Sequence, residues 1–229
     1  MRLRPLLKPV LNRELPPLTK AYLRKPRTVR YDGVTILVEP GVFHPGVYFS
    51  TKMLIDHLRG MDLQDKKVLE IGVGSGMVSI WAAKQGAQVT GTDISPSALA
   101  CARSNGADNV VAVNWVESDL FEDLAIGKYD VILVNPPFYP GTPANEEEHA
   151  WYCGPEFEYF QRFFGGLGEY LAEGGQFRMI LSEDCALDRI GALAAEKGWA
   201  WEQLIRDRRW GEYNYNLGRN KLEQSGFPH

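Results

Sequence analysis

The chain has 229 residues and a mass of 25.8 kDa, with 45% hydrophobic and 24% charged residues. That composition excludes wholesale disorder and suits one large domain with a small appendage. Apolar runs such as Asp130–Asn135 fall far short of the ~20 residues a membrane-spanning helix needs, and no apolar stretch follows the basic N-terminus as in a secretory signal. Cys101, Cys153 and Cys185 are widely spaced, form no Cys-x-x-Cys pair and have no histidine cluster beside them. This argues against a disulfide framework or a metal site and for a cytoplasmic location. The net charge of −4 hides an asymmetry: residues 1–30 carry nine Lys/Arg against Glu14, a balance of +8, while the remainder sums to −12. Such an arm can hold a phosphate backbone, or it can simply pack on the acidic body.

In chain order, a Pro-rich leader precedes a predicted strand over Gly33–Val38, and the loop Glu39–Gly46 leads to helical spacing over Thr51–Leu58. The pattern then becomes regular. Strand Lys67–Ile71 runs into helix Met77–Lys84, closed by Gly86, and strand Gln88–Thr92 runs into a helix from Ser95 with Pro96 in its first turn. Strands Asn109–Val113 and Tyr129–Val134, helix Glu156–Leu171, strand Gln176–Leu181 and helix Ala186–Glu196 follow. Two last extended runs, Trp199–Ile205 and Tyr213–Leu217, are joined by the hairpin-like connection Arg206–Gly211. Strands alternating with helices predict an α/β fold, Rossmann-like and doubly wound, with a mostly parallel sheet and an antiparallel C-terminal edge strand. Residues 1–32 read as a basic extension and 33–229 as one domain.

The run Val68-Leu-Glu-Ile-Gly-Val-Gly-Ser-Gly76 is a strand entering a glycine turn and then a helix. Gly72, Gly74 and Gly76 remove side chains where the backbone must turn tightly or approach a ligand, although a bare strand-to-helix turn needs no ligand. Asp93 ends the next strand 21 residues after Gly72, where a carboxylate can accept both ribose hydroxyls. A dinucleotide fingerprint would require glycine at 77, where Met77 stands. Glu70, unfavourable beside a pyrophosphate, suits a cofactor with a cationic amino-acid tail, and that choice favours S-adenosylmethionine over NAD.

Over residues 35–220 the chain resembles the class I S-adenosylmethionine-dependent methyltransferases. The resemblance implies that Glu70, Gly72, Gly74 and Gly76 contact the methionine part, that Asp93 binds the ribose and that Ile94 lies against the adenine. Ser118-Asp-Leu-Phe121 resembles the adenine-binding segment, with Asp119 near the amino group and Leu120 beside it. Asn135-Pro-Pro-Phe138 resembles the signature of enzymes that methylate planar, conjugated nitrogen, among them release-factor glutamine, ribosomal-RNA guanine and adenine amino-group methyltransferases. Asn135 and the carbonyl of Pro136 can accept the two N–H hydrogens of a poorly nucleophilic nitrogen, and Pro136 with Pro137 makes a rigid turn biased toward acceptors. Phe138 can stack on the planar target.

Phe43, Tyr48 and Thr51 stand where such enzymes place a loop over the cofactor, with Thr51 toward its methionine end, and His44 reads as a loop histidine. The polar stretch Tyr139–His149 reads as a substrate lid, and its three glutamates sit badly beside a phosphate backbone. Two acceptors remain open. Asp93–Arg103 and Gly154–Phe160 resemble the glutamine enzymes, whereas Pro40–Phe43 and Phe138 resemble the RNA guanine enzymes. The basic leader, with Arg206, Arg208, Arg209, Arg219 and Lys221, tilts the reading toward a base in RNA, with protein glutamine or a small molecule as the alternative. An oxidoreductase or a non-catalytic binding module fits the motifs less well.

Overall fold

A computed structural model describes residues 22–47, 49–182 and 185–199, together with the backbone of 202–209 and 212–218. Strand β1 (Arg27–Tyr31) and strand β2 (Val34–Val38) pair antiparallel around Asp32 and Gly33, whose φ values of 45° and 77° match the tight turn that Asp-Gly favours. β1 belongs to the segment read as an extension. Its Thr28-Val29-Arg30 alternation ahead of Asp-Gly is the signal that reveals it, and Val29 is buried.

After helix α1 (Ser50–Leu58) the chain alternates β3 (Lys67–Ile71), α2 (Met77–Lys84), β4 (Gln88–Asp93), α3 (Pro96–Asp108), β5 (Val113–Glu117) and β6 (Tyr129–Val134). Helix α4 (Glu158–Tyr170), β7 (Leu171–Ser182), α5 (Leu187–Glu196), β8 (Glu202–Arg209) and β9 (Glu212–Gly218) complete it. The sheet order is β5-β4-β3-β6-β7-β9-β8. The first five strands are parallel, β9 is antiparallel to both neighbours, and β8 forms the edge outside it. Among the described residues no helix is long and apolar enough to cross a membrane.

The strand expected over Asn109–Val113 is displaced. α3 continues to Asp108, Asn109 closes it by donating to the carbonyls of Asn105 and Thr35, and Val110 turns away with φ 55° and 90% exposure. Only from Val113 does the chain pair with β4, so the valine run divides between a turn and a strand start.

Alternation along the central strands sorts the core into two layers, as expected for a parallel sheet covered on both faces. Leu69, Ile71, Ile132 and Val134 face α4 and α5, where Phe160, Phe163, Phe164 and Leu167 are almost fully buried. Val68, Val131 and Leu133 face α1, α2, α3 and the β1–β2 hairpin. The hairpin is fastened by Asp32, which accepts from Trp81 Nε1 at 2.8 Å and Arg59 Nε at 2.9 Å. It thereby positions the loop that leads into α1.

Candidate active site

From β3 the chain steps outward to β4 and β5 and then returns to β6 on the other side of β3. The carboxyl ends of β3 and β6 therefore flank the switch point, where open α/β sheets form a crevice. Ile71 pairs with Val134, so Gly72 and Asn135 leave adjacent strands at the same level. A cavity of about 1310 Å³ opens there, lined by the glycine turn, Asp93, the Asn135–Phe138 turn and a strap over residues 139–152.

Glu70 shares a strand face with Val68 and points toward α2. Its carboxylate accepts from the N–H of Ser79 at 2.7 Å and from the Ser79 hydroxyl at 2.5 Å. Burial pushes its pKa up to about 8, against those hydrogen bonds and with Asp93 adding repulsion. Gly72, Gly74 and Gly76 adopt φ values of 75°, 52° and 81°, the left-handed region that glycine enters without penalty. A side chain at Gly72 would meet nothing within 4 Å, which leaves an open cradle for a ligand. Gly76 differs: it does not line the cavity, and a Cβ there would come within 3.0 Å of Ala102 and Trp115, so its bareness lets α2 pack on α3.

Asp93 accepts from the N–H of Gly74 at 2.8 Å and of Ser95 at 3.0 Å, one bond on each oxygen. The carboxylate plane is thus fixed with lone pairs left over for two hydroxyls. Burial raises its pKa, the backbone donors opposing. Ile94 is 39% exposed at the cavity wall. Leu120 is buried with φ 58° and lines the wall beside Asp119, whose carboxylate pairs with Arg162 at 2.9 Å.

Asn135 follows Val131 and Leu133 on the same face of β6 and so reaches α1, where its Nδ2 donates to Ser50 Oγ at 3.0 Å. Pro136, Pro137, Phe138 and Tyr139 line the cavity beside it. The N–H groups of Phe138 and Tyr139 both donate to the carbonyl of Trp151, and Cys153 N–H donates back to Tyr139, so the far limb of the strap pins the turn. Phe138 packs on Tyr139 with ring centroids 4.5 Å apart. Thr51 is buried in the wall, and Tyr48 lies outside the described residues. The strap crosses the cavity and docks on both rims. Glu146 accepts from Ser95 Oγ at 2.5 Å and Ser97 Oγ at 3.1 Å, while Trp151 packs on Phe43 at 5.8 Å.

Several contributors carry no motif of their own. Ser50 precedes Thr51, Ser79 lies in the α2 hydrophobic run, and Arg162 is one of many surface cations by sequence. Buried Asn105 donates to the carbonyls of Leu37 at 2.9 Å and Ser75 at 3.0 Å, tying β2 to the glycine turn. None is marked by spacing; each is found only when the sheet brings its element to the crevice.

Buried Glu70 and half-buried Asp93 in the cavity lining, an open glycine cradle and a wall without lysine or arginine among the described residues suit a nucleoside with a cationic tail. The methyltransferase small-domain model matches residues 33–196. The chain is 36% identical over 162 residues to the Methanocaldococcus jannaschii protein named "Putative protein N5-glutamine methyltransferase", covering 67% of this chain and 79% of that one. It is 36% identical over 189 residues to the ribosomal RNA small subunit methyltransferase C of Chromohalobacter salexigens, covering 77% of this chain and 53% of the other, so it spans about half of that relative. Two solved structures share the fold. A T. thermophilus 16S rRNA N2 methyltransferase, solved with AdoMet and guanosine, superposes with a TM-score of 0.68 at 23% identity over 86% of this chain and 50% of its own. The E. cuniculi Mtq2–Trm112 complex, responsible for methylation of the eRF1 termination factor, gives 0.62 at 24% identity over 79% and 99%. With the family model covering most of its length and the motif residues gathered at one crevice, the chain belongs to the methyltransferase small-domain family.

Proposed function

We propose that this chain transfers the methyl group of S-adenosylmethionine to the side-chain amide nitrogen of a glutamine in a polypeptide. The observation that carries the choice of acceptor is the charge of the mouth. The strap bears Glu146, Glu147 and Glu148, and no lysine or arginine lines the cavity among the described residues. A phosphate backbone delivering a base to Asn135 would have to approach that rim without the cations that normally neutralise it. The match to the Methanocaldococcus jannaschii protein of that name takes in 79% of its length, against 53% for the ribosomal RNA methyltransferase at the same 36% identity, and supports the same reading.

The residues divide the work. Glu70 holds the ammonium of the cofactor tail, Asp93 its ribose hydroxyls, and Ile94 with Leu120 its adenine. When bound, S-adenosylmethionine supplies an electrophilic sulfonium methyl. Asn135 Oδ1 and the Pro136 carbonyl accept the two N–H hydrogens of the acceptor, which turns the nitrogen lone pair toward that methyl. Phe138 covers the planar amide, and the strap keeps water out. Positioning of this kind supplies much of the rate, since oriented reactants reach effective molarities of about 10⁵–10⁸ M. One proton leaves the nitrogen for solvent after transfer.

The second reading, an exocyclic amino nitrogen of an RNA base, is favoured by the +8 balance of residues 1–30. Protein incubated with methyl-labelled S-adenosylmethionine and an extract from cells lacking it separates the two. Protease-sensitive, nuclease-resistant label is expected; nuclease-sensitive label would replace the polypeptide acceptor with RNA.

A further inference from the structure

We propose that Ser50 is a positioning residue for Asn135, holding its amide so that the carbonyl end faces the acceptor nitrogen. This rests on the reading of Asn135 as the carbonyl that orients the acceptor. An asparagine amide has two ends of nearly equal shape but opposite hydrogen-bonding sense. With Oδ1 toward the acceptor it receives an N–H; turned over, it presents an NH₂ to another NH₂ and the acceptor loses its orientation. The rigid turn fixes the Asn135 backbone, but the proline rings do not fix the outer torsion of the side chain, which is broad for asparagine.

Ser50 supplies that restraint. The alternation of β6 places Asn135 on the face of Val131 and Leu133, toward α1, and Ser50 is the first residue of α1. Its Oγ accepts from Nδ2 at 3.0 Å, and both residues line the cavity. The Nδ2 end is thereby occupied on the helix side, and Oδ1, with no donor among the described residues, is left for the substrate. Ser50 touches neither reacting atom in this scheme; it acts through Asn135. A serine hydroxyl can also donate, so an acceptor-only side chain at the same place is a sharper version of the same device.

The test compares Ser50→Ala, Ser50→Thr, Ser50→Asp and Asn135→Ala in the full-length protein, using label transfer from methyl-labelled S-adenosylmethionine into extract from cells lacking the protein. Calorimetric cofactor binding, thermal melting and the Asn135 side-chain ¹H–¹⁵N resonances are measured alongside. Ser50→Ala is expected to lower the transfer rate about 10-fold, the upper range for one lost neutral hydrogen bond. Cofactor affinity and melting temperature should stay within about 2-fold and about 2 °C. The Asn135 amide protons should exchange faster, and Ser50→Thr and Ser50→Asp should restore most of the rate. An unchanged rate in Ser50→Ala beside an inactive Asn135→Ala would overturn the role of Ser50 alone. Equal losses in Ser50→Ala and Ser50→Asp would also overturn it. An active Asn135→Ala would instead remove the reading on which it depends.

Discussion

Replacing Glu70 by glutamine keeps the shape of the buried side chain and its capacity to accept from Ser79, but removes the charge. In the wild-type protein without cofactor, burial raises the Glu70 pKa from 4.5 to about 8. The carboxyl thus holds its proton more tightly folded than unfolded, and its contribution to stability is fully present below about 4.5 and lost as pH rises through about 8. A displacement of that size corresponds to about 5 kcal/mol at most, at ~1.4 kcal/mol per pH unit. Allowing for relaxation of the site, about half of it would separate the two proteins at high pH, or about 5–10 °C in melting temperature for a domain of this size. Glu70→Gln should therefore melt above the wild type at pH 9, with the gap closing toward pH 4.5, when both are scanned without cofactor. Binding should reverse the order. The ammonium of S-adenosylmethionine gives the ionised Glu70 a counter-charge, so wild type should release part of a proton on binding at pH 7 and bind at least 10-fold tighter than Glu70→Gln. Proton release is read by calorimetry in buffers of different ionisation enthalpy. Parallel melting curves across pH, or equal cofactor affinities, would refute the assignment of Glu70 as a buried carboxyl that ionises on meeting the ammonium of the cofactor.

Three further outcomes are expected. Asp93→Ala removes an acceptor fixed by Gly74 and Ser95, and cofactor affinity should fall about 100-fold, as for loss of a charge-assisted hydrogen bond; intact binding by calorimetry would remove Asp93 from the site. Gly91→Ala places a Cβ 2.8 Å from Trp115 and Val73 and 3.0 Å from Ser79 Oγ, so overpacking should cost about 1–3 kcal/mol in urea unfolding; a neutral result would show that β4 can shift. Glu146→Ala unfastens the strap from Ser95 and Ser97 and should speed cofactor release several-fold in stopped-flow fluorescence without lowering the melting temperature; an unchanged release rate would show that the strap does not retain the cofactor.

Local sequence carried the fold class and pointed to most residues of the candidate site because both rest on local chemistry. Period-2 and period-3.6 apolar patterns marked β3, β4, β6 and the helices between them, and the glycines at 72, 74 and 76 stand where only a side-chain-free residue takes positive φ cheaply. Glu70 lies one residue inside the carboxyl end of β3, Asp93 ends β4 and Asn135 directly follows β6, so a parallel sheet was bound to deliver them to one edge. β1 was legible in principle, from alternation ahead of Asp-Gly, whereas the displaced β5 was not, because a valine run has the same apolar signature in a turn as in a strand.

Tertiary structure decided what depends on approach between distant segments. It set Gly76 against Ala102 rather than in the cavity wall, paired Asp119 with Arg162 and brought Ser50 to Asn135 across 85 residues of chain. It also folded the acidic strap back onto Ser95 and Phe43, putting three glutamates at the rim of the site. Contacts of this kind leave no periodicity in a sequence. They exist only once the sheet order fixes which helix faces which strand end, and the direction of each side chain follows from that order.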